Sequence, residues 1–165
     1  MGWFGYDVMG GDPPMDVLGT IAGILKVPND EAMEGKEDPN DYGGYMLYPL
    51  GRISKEHGKR IAKALKKNWH KIETEYKKYE EKDEEYYHIF FQVLAVLIMA
   101  SGATFPRGFR DKCNTAARND EWANREPERR KEMNKLIDAV ADYKTGNQTF
   151  LEHEGLFEKI AKKLS

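Results

Sequence analysis

The stretch Tyr86–Ala100 reads YYHIFFQVLAVLIMA, about 15 residues with no Asp, Glu, Lys or Arg among them. A chain that carries such a segment must hide it. A membrane span needs about 20 apolar residues. This one is shorter, contains His88 and Gln92, and is bordered by acidic residues. It therefore reads as a buried central helix. A helix that is apolar nearly all round has no face left for water, so other helices must surround it.

The flanking sequence supplies them. Asp12 followed by Pro13 marks a helix start, because proline fits the first turn, where its missing N–H would have no partner anyway. Met15, Leu18, Ala22 and Leu25 then form an apolar stripe that Val17, Ile21 and Ile24 widen, and Pro28 ends the helix. Residues 28–51 are rich in Pro, Gly, Asn and Asp and read as a long loop. Within it, Tyr42 to Tyr48 is apolar enough to pack on the core as a short hairpin. Ser54 caps a second helix running towards Glu81, in which Ile61, Leu65, Trp69, Ile72, Tyr76 and Tyr79 recur at helical spacing. The central helix runs from Asp83 to Gly102, and a shorter one opens at Pro106 and reaches about Arg118. A fifth opens at Pro127, buries Met133, Leu136, Ile137, Val140 and Tyr143, and stops at Gly146. Thr149 with Glu152 forms a capping box for a last helix carrying Leu151, Leu156, Phe157, Ile160 and Leu164. The expected fold is all-α: a single domain over 1–165, about six helices around the hydrophobic one, with minimal strand content.

Function classes narrow by elimination. The single cysteine, Cys113, allows no disulfide framework and suits a reducing cytoplasm; its polar neighbourhood predicts a surface or half-buried thiol. The opening residues lack the basic and apolar regions of a signal peptide. His57, His70, His88 and His153 are scattered without ligand spacing, so no metal site is expected. Gly10-Gly11 and Gly43-Gly44 match no phosphate-binding pattern and read as turn residues. Asp12 and Asp16, one turn apart with Asp7 nearby, could form a carboxylate pair, but acidic residues in a first helical turn are explained by capping. No cofactor and no catalytic residue is expected.

Charge is the remaining signal. The net charge is −2, yet its distribution is uneven. Residues 1–51 carry nine acidic and two basic side chains, whereas residues 52–78 carry three acidic and ten basic. Lys59, Arg60, Lys63, Lys66, Lys67 and Lys71 share the second helix with Trp69, whose place on the apolar seam predicts a core position. This basic helix and the N-terminal aromatics Trp3, Phe4 and Tyr6 are the candidate partner-binding residues. Segregated charge suits docking to an electrostatically complementary protein. The alternative is a nucleic-acid accessory protein using the basic helix over 55–78.

Met1-Gly2-Trp3-Phe4-Gly5-Tyr6, Gly11-Asp12 and Asp16 resemble the opening of an uncharacterised family of bacterial and phage proteins. Asp120-Glu121-Trp122-Ala123 and Pro127-Glu128-Arg129-Arg130 resemble the same family's Trp segment and the Arg-containing helix after it. The resemblance covers about 20 residues at each place and implies kinship without an activity. Size and charge are also similar to small helical proteins of T-even phages, some of which inhibit a Lon-type host protease. Together these suggest a non-enzymatic protein-binding module acting on a host protein in the bacterial cytoplasm, without membrane insertion.

Overall fold

The computed structural model describes residues 5–27 and 53–151. These form six helices: α1 (Asp12–Leu25), α2 (Lys55–Lys77), α3 (Glu84–Ser101), α4 (Phe109–Arg118), α5 (Glu121–Arg125) and α6 (Pro127–Asp142). The fold is all-α, and no strand occurs among the described residues. The expected loop and hairpin of 28–51 and the expected last helix beyond Leu151 lie outside the described residues.

α3 is the centre. Every residue from Ile89 to Ser101 is buried, and the helix packs against α1, α2, α4 and α6. Asp83 caps its first turn by accepting from the Tyr86 amide at 3.1 Å, and Gly102 closes it in the left-handed region, at φ 80°, where glycine meets no Cβ penalty. No helix among the described residues is long and apolar enough to cross a membrane, which agrees with reading this segment as core.

The other helices face α3 through the predicted stripes. α2 starts at its predicted cap, with the His57 amide donating to Ser54 Oγ at 3.0 Å, and buries Ile61, Leu65, Ile72 and Tyr76. α6 buries Met133, Leu136 and Val140, preceded one turn earlier by Arg129.

Several boundaries differ from the sequence reading, and α2 stops at Lys77 instead of running on towards Glu81. α1 begins one residue earlier, with Gly11 rather than Asp12 as its N-cap, and ends on Lys26 in the left-handed conformation. Pro106 starts a turn and not a helix: α4 begins at Phe109 after Gly108, and the Phe109 amide donates to the Pro106 carbonyl. α6 stops at Asp142, because Tyr143 is extended; Gly146 serves a later turn, at φ 88°. The short α5 was not foreseen. Its five residues are fewer than the two turns a periodic signal needs.

Gln148 fastens the end of the described chain. Its side-chain nitrogen donates to the Ala100 carbonyl at 3.0 Å and lies over the start of α2. A Cβ on Gly58 would come within 2.7 Å of that nitrogen and 2.8 Å of the Ser101 carbonyl oxygen, so only glycine allows this approach.

Leu94 and Leu97 are fully buried in α3. Replacing either with Ala should cost about 2–5 kcal/mol, the range for large-to-small core substitutions. Chemical denaturation reads this directly, and mutants as stable as the parent would show that α3 is not the core.

Candidate functional site

Two places hold polar side chains in an unusual setting. The first is the guanidinium of Arg129, which is 1% exposed. Its five N–H groups make five hydrogen bonds. Nε donates to Asp120 Oδ1 at 3.4 Å. One terminal nitrogen donates to Asp120 Oδ2 at 2.9 Å and Gln92 Oε1 at 3.0 Å. The other donates to the carbonyl oxygens of Tyr6 and Asp7 at 3.0 and 2.9 Å. Gln92 in turn donates to Asp120 and to the Ala116 carbonyl, and Asp120 caps α5 through the Ala123 amide. Trp122 covers the assembly: the guanidinium carbon lies 5.0 Å from its ring centroid, and the Tyr6 ring lies 5.2 Å away on a tilted plane.

This cluster joins the opening segment to the stretch around α5 and the start of α6. Tyr6 and Asp7 come from the opening segment; Asp120, Trp122 and Arg129 come from the second. The opening segment is folded into a tight loop by Gly5 N donating to the Gly10 carbonyl and Gly10 N donating to the Asp7 carbonyl, both at 3.1 Å. A Cβ on Gly10 would sit 2.5 Å from the Gly5 carbonyl oxygen. The Asp7 carboxylate accepts from the Met9 amide within the same loop. Asp12 and Asp16 are exposed, so the three aspartates do not converge on a shared pocket.

With its donors committed to protein acceptors, Arg129 is a structural tie and not a reagent. Burial by itself would raise the Asp120 carboxyl, but the hydrogen bonds and charge of Arg129, aided by Ala123 and Gln92, outweigh it and hold the group below the usual carboxylate range. Other candidates also resolve to structure. Cys113 is buried and not half-exposed: its thiol donates to the Phe91 carbonyl at 3.5 Å, and burial pushes it well up. No metal-binding group of His, Cys, Asp or Glu occurs among the described residues.

The second place is the outer side of α2. Lys59, Arg60, Lys63, Lys66, Lys67 and Lys71 are all exposed. Lys59 lies 3.7 Å from Glu56, and Arg60 lies 3.4 Å from His57 Nδ1. Lys63, Lys66, Lys67 and Lys71 have no carboxylate partner among the described residues. Tyr6 is exposed, as a partner-binding residue would be, although its ring and carbonyl are engaged; Trp3 and Phe4 lie outside the described residues.

Lys63 and Lys66 also border a groove of about 770 Å³ between α2 and the Ala103–Arg107 connection. Leu65, Trp69, Ile98, Phe105 and Pro106 line it, together with Arg107 on the side opposite α2. Trp69 is thus only partly core. One edge meets Phe109 at 4.9 Å, and the remaining surface lines the groove. Helical periodicity placed Trp69 on the seam, but it could not show that, among the described residues, the Ala103–Arg107 connection faces part of that seam's edge. The far wall is preformed. The Tyr143 hydroxyl donates to the Ala103 carbonyl at 2.6 Å, and burial pushes that phenol up to about 12. The Arg110 guanidinium donates to the Val140 and Tyr143 carbonyls and lies 4.7 Å from the Phe105 ring centroid.

No family model, curated protein or solved structure matches the chain.

Two outcomes follow for the Arg129 cluster. Arg129→Met strands the Asp120 carboxylate and should cost about 3–5 kcal/mol, as breaking a buried pair does; loss of less than 1 kcal/mol by denaturation would contradict the tie. A carboxylate held down by folding adds stability above the unfolded pKa of about 3.9, and this is lost as pH falls through the lower folded value. Asp120→Asn should therefore lose less melting temperature than the parent between pH 5 and pH 2. Equal acid sensitivity would mean that Asp120 is not held down.

Proposed function

We propose that the protein is a non-catalytic protein-binding module that docks an acidic partner through the exposed side of α2. The observation that carries this reading is the row Lys63, Lys66, Lys67 and Lys71, exposed on a rigid helix of 23 residues without a carboxylate among the described residues to neutralise it. Unpaired charge of one sign steers encounter and selects partners of the opposite sign. The adjoining apolar groove favours protein over duplex DNA, which presents a charged phosphate backbone and keeps its bases stacked inside. The chain's size and charge, similar to those of small helical proteins of T-even phages, suggest a narrower version: a phage-encoded inhibitor or modulator of a host protein, such as an ATP-dependent protease or a defence system.

The test is a four-site charge reversal, Lys63→Glu, Lys66→Glu, Lys67→Glu and Lys71→Glu, compared with the parent. A partner captured from bacterial lysate by the parent should associate with the variant at least about tenfold more slowly, with a smaller change in dissociation. Random duplex DNA should bind the parent only weakly at physiological salt. A submicromolar DNA complex whose log–log salt slope is about −0.9 per contacted phosphate would overturn the reading in favour of a nucleic-acid accessory protein.

A further inference from the structure

We infer that the groove beside α2 receives the apolar face of an acidic amphipathic helix from the partner protein. This rests on the protein-docking reading above and names the element of the partner that is recognised.

The groove's chemistry and dimensions carry the inference. Its floor and walls are Leu65, Ile98, Phe105, Trp69 and Pro106, and the charged residues at its border, Lys63, Lys66 and Arg107, are all basic and stand on both sides. An occupant must therefore be apolar along its middle and acidic along both edges. Along α2 the groove runs from Ala62 to Trp69, a rise of about 10 Å or two helical turns. Two turns match anchors at i, i+4 and i+7 of a helix laid in a groove. Glutamates flanking those anchors would meet Lys63 and Lys66 on one side and Arg107 on the other. An extended strand is a poorer occupant: no strand occurs among the described residues, so none of them offers a sheet edge to extend. The volume of about 770 Å³ lies within the range of formed ligand pockets, roughly 300–1,000 Å³. The Tyr143 hydrogen bond to the Ala103 carbonyl and the Arg110 guanidinium over the Phe105 ring hold the far wall in place.

Lys67 and Lys71 do not line the groove, so charge on α2 and groove filling are separable. The probe is a labelled synthetic peptide of about 18 residues, several helical turns long, with leucine and phenylalanine on one face and glutamate elsewhere. Two controls accompany it: the same peptide with lysine for glutamate, and a scramble that keeps composition but disperses the apolar face. The full-length protein should bind the acidic peptide at micromolar concentration and prefer it to either control by about tenfold or more. Ala62→Trp, which fills the groove, and the exposed pair Lys63→Glu with Arg107→Glu should each weaken binding by about tenfold while keeping the parent's melting temperature. Lys67→Glu with Lys71→Glu should change it by less than about threefold.

Failure of the peptide to bind, or binding that both groove variants leave unchanged, would overturn the inference. So would equal affinity for the scramble, displacement of the peptide by random duplex DNA at physiological salt, or a parent dimer that Ala62→Trp dissociates, which would make a second copy the occupant. If the charge reversal slows partner association while the groove variants leave it untouched, the docking reading survives and the groove inference does not.

Discussion

Burial of α3 on every side sets the terms for the other helices. A helix of this kind has no outward face, so α1, α2, α4 and α6 each have to contribute one apolar stripe and leave their polar sides to water. That explains why the surrounding helices are strongly two-faced while α3 is not. It also explains where polar groups can be tolerated near the centre. Gln92 is the polar side chain in the middle of α3, and an amide there requires partners because an unsatisfied buried polar group costs about 1–3 kcal/mol. Asp120, Arg129 and the Ala116 carbonyl provide them, and once a carboxylate and a guanidinium are present they must satisfy each other as well.

Much of this arrangement could be read from the residues. The all-α class, the centrality of Tyr86–Ala100, the caps at Ser54, Asp83 and Gly102 and the stripes of α1, α2 and α6 follow from periodicity and capping chemistry, which are local. The Arg129 cluster does not, because it joins the opening loop and Gln92 of α3 to the stretch 116–129, across as many as 123 positions. Two local signs of it existed. Arg129 extends the stripe Met133, Leu136, Val140 back by one turn, placing a cation where an apolar residue was due, and Gln92 interrupts an otherwise apolar helix. Neither sign names its partner. Pro106 misled for a physical reason: proline suits a turn as well as a helix start, and Gly108 moved the start to Phe109.

The candidate docking surface was half legible. The basic side of α2 follows from lysine spacing alone. The groove depends on how the connection after α3 returns past Trp69, held there by Tyr143 from beyond α6 and by Arg110 from α4. α2 thereby performs two tasks: Ile61, Leu65, Ile72 and Tyr76 fix it to the core, and the edge at Ala62, Lys63, Lys66 and Trp69 lines the groove.

The bonds from Arg129 to Tyr6 and Asp7 span 123 and 122 positions in the chain. Closing so long a loop is entropically unfavourable unless intervening helices have already brought its ends together. The N-terminal loop therefore docks onto a surface that exists only after α3, α4, α5 and α6 have assembled.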